Sequence, residues 1–411
     1  MKIKTVLALI IISAIIFNYT GCSDSLTSTN NINGKVSGHD NIPQRGLRVT
    51  SGDKTTYTSS DGSFTFENVT YPYDLAVLDT FYRSVSLYKN ISTDKLNLYI
   101  DKPGYPRTYS YIRIILPVNI NLQVLNCMAF FTDGQSLNSS FRLNNSSNVF
   151  SVLLPDNNSV SGKLIILTYK TDNYGKITSY ENYGESGMLN LLPDNDIDYT
   201  FDSLSLSLNP GEQTVLGNMT INPGPFTISS GYFISFGNLN TRTDNFLSGF
   251  TGRIFNFIIP SGIPRVFNTY INNTVYFASS YSNEIFHVYP DATNTLVVKD
   301  ECSLITPANQ AENVTNETAF SFQGGTGNGI YVICIHDILT EKDFRIITTD
   351  NNFTLSGLDQ LGLGYISNHF LSWYVRQEGP AGSVNDYVNN FTNIQERFIT
   401  SSEIRTFSTS P

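Results

Sequence analysis

Short runs of Val, Ile, Tyr, Phe and Thr recur along almost the whole chain after residue 31. Asn, Asp, Gly and Pro bound them. Runs of this length and composition, separated by turn formers, predict β-strands. No long stretch repeats its apolar positions with helical period, so helices are not expected to build the core. The regular turn signals predict sandwiches in series. The expected fold class is therefore all-β, with tandem β-sandwich domains after a signal peptide and a short flexible tether. The beginning of the chain follows a different pattern. Lys2 and Lys4 precede an apolar run, Val6 to Phe17, broken only by Ser13. Such a run makes about 18 Å of helix, short of the roughly 30 Å of a hydrocarbon core. A positive start, a short apolar centre and small residues after it predict a secretory signal peptide over residues 1–21. Residues 22–31 are mostly Ser, Thr and Asn and predict a flexible tether.

Residues 32–101 carry Gly34-Lys35-Val36, then Asp61-Gly62-Ser63-Phe64-Thr65-Phe66, then Tyr73-Asp74-Leu75-Ala76-Val77. Phe64 and Phe66 alternate toward one face, and Asp61-Gly62 supplies a turn. This pattern resembles the carboxypeptidase regulatory-like, or transthyretin-like, domain. The resemblance implies a small seven-stranded sandwich without peptidase activity. Residues 301–411 open on Thr306-Pro307-Ala308-Asn309 and continue through Thr318-Ala319-Phe320-Ser321-Phe322 to His369-Phe370-Leu371-Ser372-Trp373. That segment resembles the fibronectin type III-like domains of bacterial surface proteins, with Phe322 where that family commonly has Trp. Trp373, the only tryptophan, is expected in its core. Residues 102–300 resemble no family. Their length predicts two β units dividing near 203–217, or one large unit.

The stretch Tyr19-Thr20-Gly21-Cys22 ends the apolar segment. It resembles the bacterial lipobox, with Tyr19 where that family usually has Leu, Val or Ile. The resemblance implies lipid attachment at Cys22 and an envelope location. Ser23 after the cysteine points to the outer membrane, with a periplasmic or secreted protein as the alternative. If Cys22 is acylated, Cys127, Cys302 and Cys334 remain, enough for one internal disulfide. Cys302 and Cys334 are the candidate pair, since both fall in the last domain; buried reduced cysteines are the alternative.

Only 15% of residues are charged, so a largely Asn, Ser and Thr surface is expected, and the net charge of -10 gives no footprint for nucleic acid. His39, His287, His336 and His369 lack H-x-x-H spacing. His336 and His369 could meet across strands of the last domain, though surface or structural roles are the commoner outcome. No G-x-S-x-G elbow occurs. Asp194-Asn195-Asp196-Ile197-Asp198 starts like a calcium loop, but Tyr199 and Ser205 stand where the EF-hand needs Gly and an acid. Gly324 to Gly329 is rich in glycine yet leads into a strand, which excludes a dinucleotide loop. Tyr169, Tyr174, Tyr180 and Tyr183 cluster on one predicted hairpin. They are expected either to pair within the sheet or to form a contact surface for a glycan or protein.

These features lead to a non-enzymatic envelope lipoprotein that displays β-sandwich modules for binding or structural roles. It has no cofactor and no metal, and it meets the membrane through its lipid. A glycan-binding accessory protein is the alternative, and a hydrolase with its site in 102–300 is a third.

Overall fold

The computed structural model describes residues 29–38, 43–100, 108–118, 120–132, 137–143, 148–154, 159–173, 177–193, 195–202, 206, 209–220, 227–236, 239–246, 254–263, 267–276, 280–289, 292–297, 299–356, 367–390 and 397–411. The fold is all-β, with almost no helix.

The first unit contains β1 (Thr29–Ser37), β2 (Arg48–Ser51), β3 (Lys54–Tyr57), β4 (Ser63–Thr70), β5 (Tyr73–Asp79), β6 (Ser84–Ile91) and β7 (Lys95–Tyr99). These form one sheet of order β4-β1-β7 and another of order β3-β2-β5-β6. Strand β1 runs antiparallel to β4 and parallel to β7. The turn into β4 is built locally. Asp61 accepts hydrogen bonds from the Ser59 and Ser63 hydroxyls at 2.6 and 2.7 Å and from the Ser63 N–H at 3.1 Å. Gly62 takes φ +78° there, and a Cβ would lie 2.5 Å from the Val36 carbonyl oxygen, so only glycine fits. The turn sets Phe64 and Phe66 inward, with their rings edge-on at 5.9 Å.

The second unit contains β8 (Thr108–Ile115), β9 (Asn126–Thr132), β10 (Leu137–Leu143), β11 (Val149–Leu154), β12 (Val160–Thr171), β13 (Ile177–Leu191) and β14 (Asp196–Thr200). The third contains β15 (Gly211–Thr220), β16 (Thr227–Phe236), β17 (Leu239–Phe246), β18 (Ile254–Ser261), β19 (Phe267–Tyr276), β20 (Tyr281–Val288) and β21 (Thr293–Val297). Their sheets run β11-β8-β14 with β10-β9-β12-β13, and β18-β15-β21 with β17-β16-β19-β20. Both repeat the topology of the first unit strand for strand. In each, the opening strand pairs antiparallel with the fourth and parallel with the seventh. The repeat lies in the backbone rather than the letters. The three opening strands read TNNINGKVS, TYSYIRII and GEQTVLGNMT.

The last unit differs. It contains β22 (Ser303–Thr306), β23 (Ala311–Val314), β24 (Phe320–Gln323), β25 (Ile330–Asp337), β26 (Lys342–Thr348), β27 (Asn352–Phe353), β28 (Phe370–Gly379), β29 (Arg397–Ser401) and β30 (Arg405–Thr409), with helix α1 (Val384–Asn390) after β28. One sheet is β22-β24-β27; the other is built on β26-β25-β28 with β29 and β30. Trp373 is fully buried between them, edge-on to Phe320 at 5.1 Å.

The units do not hang in a row. Strand β6 of the first unit pairs in parallel with β26 of the last, and β20 of the third pairs antiparallel with β29. These two seams merge three sandwiches into one 14-stranded sheet. Strands covered on both faces by neighbouring units read as continuous apolar runs rather than as alternation. Leu75, Ala76, Val77 and Leu78 of β5 form such a run. Leu75 and Val77 face the first unit's own core, whereas Ala76 and Leu78 pack into the core around Trp373. In β25, Val332 and Cys334 join the first core, and Ile333 and Ile335 the second. In β12, Leu164 and Ile166 face the second unit's interior, while Ile165 and Leu167 face the third unit.

Candidate functional site: a cleft at the seam of the first and last units

The seam that β6 makes with β26 leaves a cleft of about 720 Å³. Its floor includes Leu87 and Ile346, which are register partners across the parallel pairing. The β2–β3 turn, Ser51 to Lys54, lines it together with Asn68, Thr70 and Asp74 of the first unit. Phe353, Thr354 and Ser356 of the last unit line it as well. Ligand sites favour such junctions, where two bodies each supply a wall.

The lining is hydroxyl, amide and charge over an apolar floor. Asp53 and Asp74 are balanced by Lys54 and Lys89. Lys54 Nζ donates to the Glu67 carbonyl oxygen at 2.7 Å, which holds the turn against β4. Asp74 accepts the Asn90 N–H at 2.9 Å. Tyr73 donates its hydroxyl to the Thr93 carbonyl at 2.8 Å and stacks on Tyr71 at 5.7 Å. Burial, with the negative charge of Asp94 also acting, pushes the Tyr73 phenol well above its usual value, so it stays a donor. Among the described residues the lining carries two acids and two lysines, so it can hydrogen-bond a neutral, hydroxyl-rich ligand and offers no net charge to a polyion.

The residues singled out from the sequence are distributed differently. Tyr169, Tyr180 and Tyr183 are 0, 3 and 1% exposed, so they form no open binding face. They stand on the outer face of the second unit's sheet, which Ile258 and Ile263 of the third unit cover. Tyr180 donates its hydroxyl to the Ile258 carbonyl at 3.1 Å, and its N–H donates to Glu212 at 3.0 Å. Tyr174 lies outside the described residues.

Cys302 and Cys334, the candidate disulfide pair, are not bridged; both are free and buried, the alternative expectation for them, as is Cys127. Cys302 belongs to the core around Trp373 and Cys334 to the core of the first unit, on opposite sides of the β25 sheet. A disulfide needs side chains that point at each other within a short Cα separation. Cys22 and the predicted signal peptide lie outside the described residues, as does His39.

His336 and His369 hold separate carboxylates. His336 Nδ1 is 2.8 Å from Asp343, and His369 Nδ1 is 2.8 Å from Asp337. Burial opposes ionisation of Asp337, but hydrogen bonds from Thr340, His369 and the Leu339 N–H outweigh it and lower its pKa. Asp196 and Asp198 are on β14, and Asp198 pairs with Arg113 at 3.3 Å. Among the described residues, no three His, Cys, Asp or Glu side chains converge as a metal site.

The glycine-rich loop is a packing device. A Cβ on Gly325 would lie 2.0 Å from the Asp300 carbonyl oxygen, and the Asp300 N–H donates to Thr326 at 3.0 Å. Glycine there lets the loop press on the segment that joins the third and last units. The linker is held from the other side too, because buried Glu284 of β20 accepts the Lys299 N–H. Burial raises the Glu284 pKa to about 7.

No protein-family model matches the chain. No curated protein matches it either. Among solved structures the chain is similar to the Bacillus anthracis TIE protein, at 12% identity and a TM-score of 0.17. The match covers 66% of this chain and 50% of that one, so this chain spans about half the length of the protein it matches. At that TM-score the likeness carries no argument about function.

Proposed function

We propose that the protein is a non-enzymatic bacterial envelope lipoprotein, acylated at Cys22, whose first and last units together hold a ligand in the seam cleft. The cleft itself is the observation that carries this reading. It is built from residues at opposite ends of the chain, and the parallel pairing of β6 with β26 fixes its two sides. Its position fits a tethered protein. Thr29, where the described chain begins, is the register partner of Thr70 in the cleft wall. The residues between Cys22 and Thr29 would span at most about 25 Å, so the cleft would stay near the membrane surface. On this reading the first unit is a carboxypeptidase regulatory-like sandwich and the last a fibronectin type III-like one.

The lining favours a glycan as the ligand, through Ser51, Asn68, Thr70, Thr354 and Ser356 and the balanced Asp and Lys pairs. Two measurements test the proposal. Intact mass of the envelope-extracted protein should show a start at Cys22 with added acyl mass, absent in Cys22→Ala. A glycan array probed with the protein should give hits that Thr70→Trp, which fills the cleft, removes. An unacylated terminus overturns the anchor; hits that survive Thr70→Trp overturn the cleft.

A further inference from the structure

The paired strands β6 and β26 carry a second, smaller cavity on the face opposite the cleft. Its volume is about 190 Å³, roughly six water volumes at about 30 Å³ each. Two cross-strand rows line it. In one, Ser84 is in register with Asp343, and Asp343 with His336. In the other, Ser86 is in register with Arg345, Arg345 with Cys334, and Cys334 with Tyr374. Residues in register on neighbouring strands project to the same face.

This face carries Arg345 and Arg376 beside the carboxylates of Glu378 and Asp343. Glu378 is buried and forms an ion pair with the other arginine. Oε1 lies 2.8 Å from Arg376 Nη2, and Oε2 accepts the Tyr387 hydroxyl at 2.9 Å. Asp343 is engaged by His336. Among the described residues Arg345 makes no direct ion pair with a carboxylate, although, against the cost of burial, the negative charge of Glu378 acts on it and raises its pKa. Its Nε and Nη1 are buried, and neither meets an acceptor. A buried guanidinium with unmet donors is costly, and it is also the side chain best shaped to grip a planar carboxylate with two parallel bonds.

We infer that this cavity is a binding site for a small monoanionic carboxylate, with Arg345 as the anchor. Ser84 and Ser86 offer hydroxyls from the first unit. Asp343 sets the charge selectivity. It is the one carboxylate among the described lining residues, and its negative charge opposes a dianion such as phosphate more strongly than a monoanion. The cavity holds about one small acid or the end of a peptide chain. Because its walls come from the first and last units, an occupant would brace the seam from the side away from the cleft. The inference depends on neither the cleft nor the lipid.

Isothermal titration of the full chain tests it, with sodium propanoate, inorganic phosphate, a tripeptide acid and its C-terminal amide, at constant ionic strength set by chloride. Saturable propanoate binding in the range of about 1 mM is expected, and phosphate should bind at least tenfold more weakly. Arg345→Met should abolish binding, and Lys89→Met, on the cleft side, should leave it unchanged. Should Arg345→Met fail to fold, Ser86→Val, which narrows the cavity without removing a charge, should weaken binding at least tenfold. A tripeptide acid that binds more tightly than propanoate, while its amide does not bind, supports the site with a peptide terminus as the source. Equal or tighter propanoate binding supports it with a free acid as the source. Absence of saturable propanoate binding, phosphate binding as tight as propanoate, or unchanged binding in Arg345→Met would overturn the inference.

Discussion

Leu87 of β6 and Ile346 of β26 stand side by side in a parallel ladder, although they lie in the first and last units of the chain. Their side chains belong to the core around Trp373 and also floor the cleft. Truncating either should therefore weaken both units. Leu87→Ala is expected to cost about 2 to 4 kcal/mol in urea unfolding. Hydrogen exchange of the β26 amides should accelerate along with that of β6. Acceleration confined to β6 would show that the seam does not couple the units.

Tyr180 bonds the second unit to the third. Tyr180→Phe keeps the ring and deletes the hydroxyl that reaches Ile258, so a loss of about 1 kcal/mol is expected. Glycan-array signals should be unaffected, because the ring is buried. Loss of signals with unchanged stability would restore the tyrosine face as a binding surface.

Glu284 makes stability depend on pH. Its folded-state pKa lies near 7, above the unfolded value of 4.5. Its contribution is fully present below pH 4.5 and is lost as pH rises through 7. The difference of two to three units corresponds to about 3 kcal/mol. Glu284→Gln keeps an acceptor for the Lys299 N–H without the ionisation. Urea melts at pH 5 and pH 8 should show the wild type losing stability relative to this variant as pH rises.

Gly325→Ala should strain the contact with Asp300, since the added methyl group meets a backbone carbonyl rather than a movable side chain. A loss of about 1 to 3 kcal/mol is expected, with faster proteolysis between the third and last units. An unchanged melting temperature would show that the loop does not clamp the linker.

The thiols give a direct chemical check. Burial raises the pKa of Cys127 and of Cys302, and thiolate is the reactive form. Cys127, Cys302 and Cys334 should react with Ellman's reagent only in denaturant, and reductant should not shift the melting temperature. A lower melting temperature in reductant would mean a disulfide is present after all.

The all-β class was legible because strand-length apolar runs and turn residues are local signals. The Phe64-Thr65-Phe66 alternation after Asp61-Gly62 shows its inward face without any tertiary information. Trp373 was legible as a core residue for a similar reason, since a large apolar side chain within a strand-like run is readily buried. A further signal was present and went unread. Leu75 to Leu78, Leu164 to Leu167 and Val332 to Ile335 are continuous rather than alternating, and each marks a strand covered on both faces. Reading them would have predicted contacts between units and buried Tyr169 along with Ile165 and Leu167.

By itself, then, the sequence determined strands, turns and their inward faces, because these follow from period-two alternation and from backbone preferences within a few residues. Only the tertiary structure decided which outward faces are covered, that Cys302 and Cys334 lie on opposite sides of one sheet, and that Arg345 makes no direct ion pair with a carboxylate among the described residues. Those outcomes depend on the pairing of β6 with β26 and of β20 with β29. A sheet edge pairs through backbone groups common to nearly all residues, so the choice of partner leaves little mark on the letters of either strand.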